Sequence, residues 1–204
     1  MLFARNRWRL NIPMLGLCML AFSTPARSET AVFAGGCFWC MEAVYQEQEG
    51  VTDVVSGFTG GTHPNPTYKG DHTGHYEAVL VSYDPAVISY QTLLDLFWVN
   101  IDPFDGGGQF CDRGPSYRPA LFVATKQERQ LAEASLQAVI NEFPDNTVRT
   151  PLLPRAEFFP VVESHQDYYQ KNPIRYRYYR YGCGRDKQLD KIWGTRARGA
   201  SAKH

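Results

Sequence analysis

A buried strand, a pair of glycines and the start of a helix follow one another near the beginning of the chain. This succession constrains the fold more than any other feature. Residues 30–34 are β-branched and apolar, which predicts a short strand. After Gly35 and Gly36, apolar residues at helical spacing predict a helix over about 37–47. Cys37 is therefore expected at a helix N-terminus, where the positive end of the helix dipole favours a thiolate over a thiol.

The spacing of the cysteines favours thiol–disulfide chemistry over metal binding. Cys37 and Cys40 form a Cys-x-x-Cys pair at the predicted helix start, an arrangement used in thiol–disulfide chemistry. The other two cysteines beyond residue 28 are Cys111 and Cys183, which stand far apart in the sequence. A structural zinc site needs a second close pair of ligands, so we expect no metal. Two structural disulfides are the default pairing for four cysteines in an exported protein.

The first 28 residues have the pattern of a cleaved signal peptide. A basic segment containing Arg5, Arg7 and Arg9 precedes an apolar run over residues 12–22, which is too short to cross a membrane comfortably. Small residues end the segment and predict cleavage after Ser28. We therefore expect a periplasmic or secreted protein without stable membrane insertion, whose residues 29–204 form one domain. An uncleaved anchor is the alternative.

Charge argues against a nucleic-acid partner. Lys plus Arg equal Asp plus Glu, at 21 each, so no overall positive field is expected. The tail over residues 175–185 interleaves arginine with tyrosine, a composition that can bind single-stranded nucleic acid. We instead predict a segment that wraps the domain, with its tyrosines packed and its arginines solvated.

The rest of the chain alternates strands with helices. Strands are predicted over 51–59, 77–83 and 120–124, and helices over 89–100 and 125–142. Glycine-rich loops are predicted over 60–75 and 102–119, and a last helical segment from residue 163. The alternation predicts a single α/β or α+β domain.

Glu77 is the only acid in the strand predicted over 77–83. That strand is otherwise nearly all apolar, which predicts a central strand covered on both faces. Partial desolvation at the strand's mouth should raise the pKa of the Glu77 carboxyl and make it a proton donor near neutral pH. A solvated glutamate at a strand end is the alternative interpretation.

Five motifs, taken in order, resemble the peptide methionine sulfoxide reductase A family. They are Gly-Cys-Phe-Trp at 36–39, Asn-Pro-Thr-Tyr at 65–68, Thr-Gly-His-Tyr-Glu at 73–77, Cys-Asp-Arg-Gly-Pro-Ser-Tyr-Arg at 111–118 and Ser-His-Gln-Asp-Tyr-Tyr at 164–169. The resemblance spans about residues 31–194. It implies a two-layer sandwich of helices on a mixed β-sheet, a ferredoxin-like plait.

The resemblance also implies an activity. It is the thiol-dependent reduction of methionine S-sulfoxide, free or in oxidised proteins, through a cysteine sulfenic acid and an intramolecular disulfide. A thioredoxin-fold reductant would then recycle the enzyme, which we expect to be a monomer without a cofactor. The matched residues imply Cys37 as nucleophile and Glu77 as acid. Polar partners around the sulfoxide oxygen would be Tyr68, Asp112 and Tyr117, an apolar cage would be formed by Phe38 and Trp39, and His165 would lie near the site.

Which thiol resolves the sulfenic acid is a separate question. Cys40 stands where many members of the family have glycine, Cys111 where asparagine is frequent, and Cys183 is the single late cysteine. We predict Cys183, because the resemblance implies a resolving cysteine in the C-terminal segment and the glycines on either side of Cys183 permit a backbone excursion. Cys40 is close enough to Cys37, but burial is expected to raise its pKa and slow its attack.

Two other functions remain open from the residues alone. One is a thioredoxin-like disulfide oxidoreductase that uses Cys37 and Cys40. The other is a non-enzymatic secreted domain with disulfides Cys37–Cys40 and Cys111–Cys183.

Overall fold

The structure, a computed structural model, describes residues 28–199. The predicted signal peptide lies outside this range except for Ser28, so its cleavage stays a prediction. Within the described range, no helix is both long and apolar enough to cross a membrane.

The sequence predicts the principal elements to within two residues at each end. The strands are β1 (Glu29–Gly35), β2 (Val51–Thr59), β3 (Tyr76–Tyr83), β4 (Gly108–Gln109), β5 (Asp112–Arg113), β6 (Pro119–Val123), β7 (Leu152–Pro154) and β8 (Phe158–Pro160). The helices are α1 (Phe38–Gln46), α2 (Tyr90–Trp98), α3 (Lys126–Glu142), α4 (Tyr168–Lys171), α5 (Pro173–Gly182) and α6 (Arg185–Trp193). Short 3-10 turns lie at Pro115–Tyr117, Glu163–His165 and Gly194–Arg196.

The main sheet has the strand order β7-β6-β1-β3-β2-β8. Its neighbours pair antiparallel, except β6 and β7, which are parallel, so the sheet is mixed. The chain order β1-α1-β2-β3-α2-β6 with the spatial order β6-β1-β3-β2 is the split βαβ arrangement of ferredoxin-like folds. The predicted fold class is therefore confirmed, with β7 and β8 added at the two edges.

Apolar side chains cover both faces of the central strands. On one face, the Phe33 ring stacks on Tyr45 of α1 and on Tyr90 and Phe97 of α2. On the other face lies a smaller cluster that includes Val32, Ala34, Ala78, Ala120 and Phe122. The strand that carries Glu77 is thus central and covered on both sides, as its apolar composition predicts.

The tail folds into α5 and α6, and the prediction of packed tyrosines with solvated arginines is wrong for it in part. Tyr178 and Tyr181 are 83% and 89% exposed, whereas Arg185 is only 1% exposed. The reason is the turn between the two helices at Gly184, whose φ is +64°. This turn directs Arg185 inward, where its guanidinium donates to the backbone oxygens of Gly35 and Asn100.

Candidate active site

The turn between β1 and α1 presents Cys37. Gly36 has φ +82°, and a Cβ there would lie 2.6 Å from the Cβ of Gln109, so only glycine fits. Cys37 is the N-cap residue of α1, and its side chain is 5% exposed. The two glycines and the strand–helix junction therefore place the sulfur at the helix start, as the sequence predicts.

Glu77 caps this same helix from the neighbouring strand. One carboxyl oxygen, Oε2, accepts a hydrogen bond from the backbone N–H of Phe38 at 3.2 Å. That N–H belongs to the first turn and has no partner within the helix. The side chain is 2% exposed, and burial raises the pKa of the Glu77 carboxyl to about 8, with smaller contributions from Asp112 and Cys40. Glu77 is therefore protonated at neutral pH, in agreement with the prediction of a raised pKa.

Cys37 and Cys40 are both free thiols, both are buried, and they are hydrogen-bonded to each other. The hydrogen bond from Cys37 lowers the pKa of Cys40 to about 6, helped by the charges of Arg185 and Arg180 against the cost of burial. Burial raises the pKa of Cys37, and the negative Cys40 raises it further. The pair thus carries one negative charge, which lies on Cys40.

Two expectations are corrected here. One is that the helix dipole makes Cys37 the thiolate, and the other is that burial raises the pKa of Cys40. The dipole argument fails because the first-turn N–H of Phe38 binds Glu77 and because Cys37 is itself buried. The burial argument fails because the hydrogen bond from Cys37, together with the charges of Arg185 and Arg180, lowers the pKa of Cys40 more than burial raises it.

Arg185 is the buried cation behind this charge distribution. Its Nη2 atom donates to the oxygen of Gly35 at 3.0 Å and to that of Asn100 at 2.8 Å. Its Nε and Nη1 atoms are buried without a hydrogen-bond partner, and no carboxylate of residues 28–199 forms an ion pair with it. A buried cation needs a negative partner, and the Cys40 thiolate is available to it.

An aromatic wall stands beside the thiol pair. Trp39 stacks on Tyr168 with a centroid distance of 3.8 Å and on His165 at 5.6 Å, while Tyr68 lies 4.0 Å from His165. Of the two predicted cage residues, Trp39 is half-buried within this wall. Phe38 is fully buried and packs beneath it. Burial lowers the pKa of His165, so its ring is neutral at pH 7.

The polar residues implied by the resemblance converge on the same place. Burial raises the pKa of Tyr68 to about 12 and that of Tyr117 still further, and the charges of Glu77 and Cys37 raise both. Both phenols are therefore neutral hydrogen-bond donors facing the acid and the thiol. Asp112 lies on β5, and its Oδ2 accepts a hydrogen bond from the Tyr179 hydroxyl at 2.5 Å.

Cys183 is not a free thiol in this structure. It forms a disulfide with Cys111, with a Cα–Cα distance of 4.8 Å. Cys111 is exposed and Cys183 is half-buried. With Asp112 these two sulfurs form a compact group of potential metal ligands, but disulfide sulfurs offer no thiolate to a metal.

The sequence does not predict that Tyr168, Tyr179 and Arg185 belong to the site. Tyr168 falls inside a quoted motif without a role, and Tyr179 and Arg185 lie in the tail that was expected to be a wrapping surface. Gly182 and Gly184 are the available signal for Arg185, because a glycine turn before it allows the chain to reverse inward. Nothing in the run of alternating Tyr and Arg distinguishes Tyr179 from its neighbours.

A family model described as peptide methionine sulfoxide reductase matches residues 29–197. The chain belongs to this family. The reductase is 49% identical over 186 residues to peptide methionine sulfoxide reductase MsrA 2 of Caulobacter vibrioides, covering 90% of this chain and 94% of that protein. It is 47% identical over 175 residues to the MsrA protein of Bacillus licheniformis, covering 83% and 96%.

Solved structures agree with this assignment. Methionine sulfoxide reductase A of Corynebacterium diphtheriae superposes with a TM-score of 0.69 at 31% identity, over 74% of this chain and 78% of that chain. Mxr1 of Saccharomyces cerevisiae in reduced form gives 0.66 at 28% identity, over 74% and 89%.

The family assignment decides among the functions left open by the sequence. The reductase is an oxidoreductase that reduces methionine sulfoxide with thiols. A dedicated thioredoxin-like oxidoreductase and a non-enzymatic domain are thereby set aside. The Cys111–Cys183 disulfide of the second alternative is nevertheless present.

Proposed function

We propose that the reductase acts as an exported monomer on the S-epimer of methionine sulfoxide, free or in exposed segments of oxidised proteins. Cys37 attacks the sulfoxide while Glu77 protonates its oxygen. One observation carries the proposal: a carboxyl that holds its proton at neutral pH and a thiol pair that shares one negative charge meet at the first turn of α1.

The first step needs a thiolate and an acid together, because a sulfoxide sulfur is a poor electrophile until its oxygen gains a proton. Cys37 passes its proton to the Cys40 thiolate through their hydrogen bond and becomes the nucleophile. Glu77 gives its proton to the sulfoxide oxygen. The S=O bond breaks, methionine leaves, and the oxygen stays on Cys37 as a sulfenic acid. Cys40 is then a thiol and Glu77 a carboxylate.

The S-methyl group and the oxygen of the sulfoxide contact different parts of the site. Trp39 and the ring of His165 supply flat faces for the S-methyl group, with Phe38 holding them from below. Tyr68 and Tyr117, both neutral, donate hydrogen bonds toward the oxygen as charge develops on it. Asp112 accepts hydrogen bonds at the edge of the site and orients its donors.

The second step removes the sulfenic acid, and we assign it to Cys40 instead of Cys183. Cys40 is the other free thiol among residues 28–199 and already contacts Cys37, whereas Cys183 is held by Cys111. Residues one helical turn apart can satisfy disulfide geometry. Cys40 attacks the Cys37 sulfur, and its proton leaves with the hydroxyl as water. The product is a Cys37–Cys40 disulfide.

A dithiol must then reduce this disulfide. Two electrons and two protons restore the Cys37 thiol, the Cys40 thiolate and the protonated Glu77. A thioredoxin-fold protein supplies that chemistry by thiol–disulfide exchange. If residues 1–28 are removed on export, that reductant must face the periplasm or the exterior.

The substrate proposal predicts stereospecificity. With dithiothreitol as reductant, the S-epimer of a methionine sulfoxide peptide should be consumed and the R-epimer should remain. Cys37→Ser should abolish the reaction. Equal consumption of the two epimers, or an active Cys37→Ser enzyme, contradicts the proposal.

The proton inventory predicts a bell-shaped pH profile for kcat/KM. Activity should rise as the thiol pair loses its proton near pH 6 and fall as Glu77 loses its proton near pH 8. Glu77→Gln keeps the size of the side chain but has no proton to give, so activity should drop about 10²–10⁴-fold. The alkaline limb near pH 8 should vanish with it.

Glu42 provides the matched control for this profile. It is a second fully buried glutamate, it lies on α1, and its pKa is raised to about 7 by burial. Glu42→Gln should retain the alkaline limb. A limb near pH 8 that survives Glu77→Gln would assign it to another group.

The resolving thiol is identified by substitution and by peptide mapping. Cys40→Ser should still reduce one equivalent of sulfoxide, more slowly because the thiolate that takes the Cys37 proton is lost, but it should not turn over with thioredoxin, since no disulfide can form with Cys37. The double variant Cys111→Ser with Cys183→Ser should turn over. After a single turnover of the wild type, mapping should find Cys37–Cys40; a Cys37–Cys183 linkage would restore the assignment made from the sequence.

Export is tested by locating a reporter fusion in the cell. A reporter fused after His204 should be recovered outside the cytoplasm, and Arg-to-Glu changes at Arg5, Arg7 and Arg9 should retain it inside, because a signal peptide needs a basic first segment. A wild-type fusion found in the cytosol contradicts export.

A further inference from the structure

Tyr179 packs against the buried cluster that contains Cys37 and Cys40. It lies on α5 and is half-buried, and its ring meets the Trp39 ring edge-on at 5.7 Å and 85°. Its hydroxyl donates to Asp112 Oδ2 at 2.5 Å, and its packing against the Cys37–Cys40 cluster lets the same hydroxyl interact with the Cys37 sulfur. One hydroxyl thus bridges a carboxylate and the attacking thiol.

The bridging hydroxyl has one proton and two lone pairs. While it donates to Asp112, it can only accept from the Cys37 thiol. When Cys37 loses its proton, the Tyr179 hydrogen can turn from Asp112 to the new thiolate. Burial and the neighbouring negative groups raise the pKa of Tyr179, so the hydroxyl keeps its hydrogen throughout.

The Cys111–Cys183 disulfide fixes both ends of this bridge. Cys111 directly precedes Asp112, and Cys183 lies one helical turn beyond Tyr179, with its N–H donating to the backbone oxygen of Tyr179 at 2.9 Å. The covalent link between the two cysteines therefore holds together the two segments that the Tyr179–Asp112 hydrogen bond joins. Without it, that contact would depend on one hydrogen bond between the short strand β5 and α5.

We propose that Tyr179 is a catalytic residue of the reductase, whose hydroxyl stabilises the Cys37 thiolate during attack, and that the Cys111–Cys183 disulfide positions it. This inference rests on Cys37 being the attacking thiol. It gives the extra disulfide a role outside the thiol–disulfide cycle. It also gives the phenols different roles. Tyr68 and Tyr117 donate to the sulfoxide oxygen, and Tyr179 donates to the attacking sulfur of Cys37.

Several titratable groups face the Cys37–Cys40 pair and set its pH dependence along with Tyr179. They are Glu77 on β3, Asp112 on β5, Tyr68 in a loop, Tyr117 in a 3-10 turn, Tyr168 and Tyr169 on α4, Tyr176 and Arg180 on α5, and Arg185 on α6. The test must therefore compare variants that leave all of these in place.

The experiment measures single-turnover sulfenic acid formation against pH in a Cys40→Ser background, which removes the titration of Cys40 and leaves Cys37 as the titrating thiol of the pair. Adding Tyr179→Phe should lower the rate about 10- to 100-fold, because a hydrogen bond to a charged sulfur is lost. The acid limb should move to higher pH. Tyr178→Phe, a change on the same helix at a side chain that is 83% exposed, should behave like the background.

Two further variants distinguish a loss of folding from a loss of the Tyr179 hydrogen bond. Replacing Tyr179 by 3-fluorotyrosine keeps the ring and makes the hydroxyl a stronger donor, so the acid limb should move to lower pH. Substituting Cys111 and Cys183 together by serine should lower the rate less than Tyr179→Phe does. If neither Tyr179 variant shifts the acid limb while both melt like the background, the inference is overturned. Activity in Cys37→Ser would instead overturn the function on which it rests.

Discussion

The hydrogen bond from the Phe38 N–H to the Glu77 carboxyl fastens the first turn of α1 to the mouth of the central strand β3. Both partners are buried, so the bond cannot be exchanged for water without opening the core. It fixes where the Cys37 sulfur sits relative to the only acid of that strand. Burial on both faces of the sheet, which makes β3 a good central strand, is also what keeps the Glu77 proton in place.

Of the three acidic groups around this bond, only one is ionised. Glu77 is neutral, Cys37 is neutral, and the single negative charge of the thiol pair lies on Cys40 near Arg185. A buried arginine without a carboxylate partner would be costly alone, and a buried thiolate would be costly alone; together they compensate. The catalytic cysteine can therefore be almost completely buried and still reach its reactive state by one proton transfer to a neighbour.

Much of this could be predicted from the sequence because the signals were local. The strand–glycine–helix start at Cys37, the apolar strand carrying Glu77 and the loop motifs around Tyr68 and Asp112 each depend on neighbours in the chain. The charge on Cys40 depends on Arg185, which lies 145 positions later in the sequence and whose burial follows from a turn at Gly184. The Tyr179–Asp112 contact is likewise long-range, in a tail that its composition predicts to be surface. The Cys111–Cys183 pairing follows from the sequence only as part of one alternative, because spacing alone does not choose between pairings.

The mechanism requires that Glu77 carries a proton at neutral pH, and infrared difference spectroscopy measures that protonation state directly. Subtracting the spectrum of Glu77→Gln from that of the wild type isolates the Glu77 carboxyl. With a pKa of about 8, the group should be about nine-tenths protonated at pH 7. A protonated carbonyl band should be present at pH 7 and fall to about one-tenth of its full intensity by about pH 9. Carboxylate bands alone at pH 7 would contradict the account.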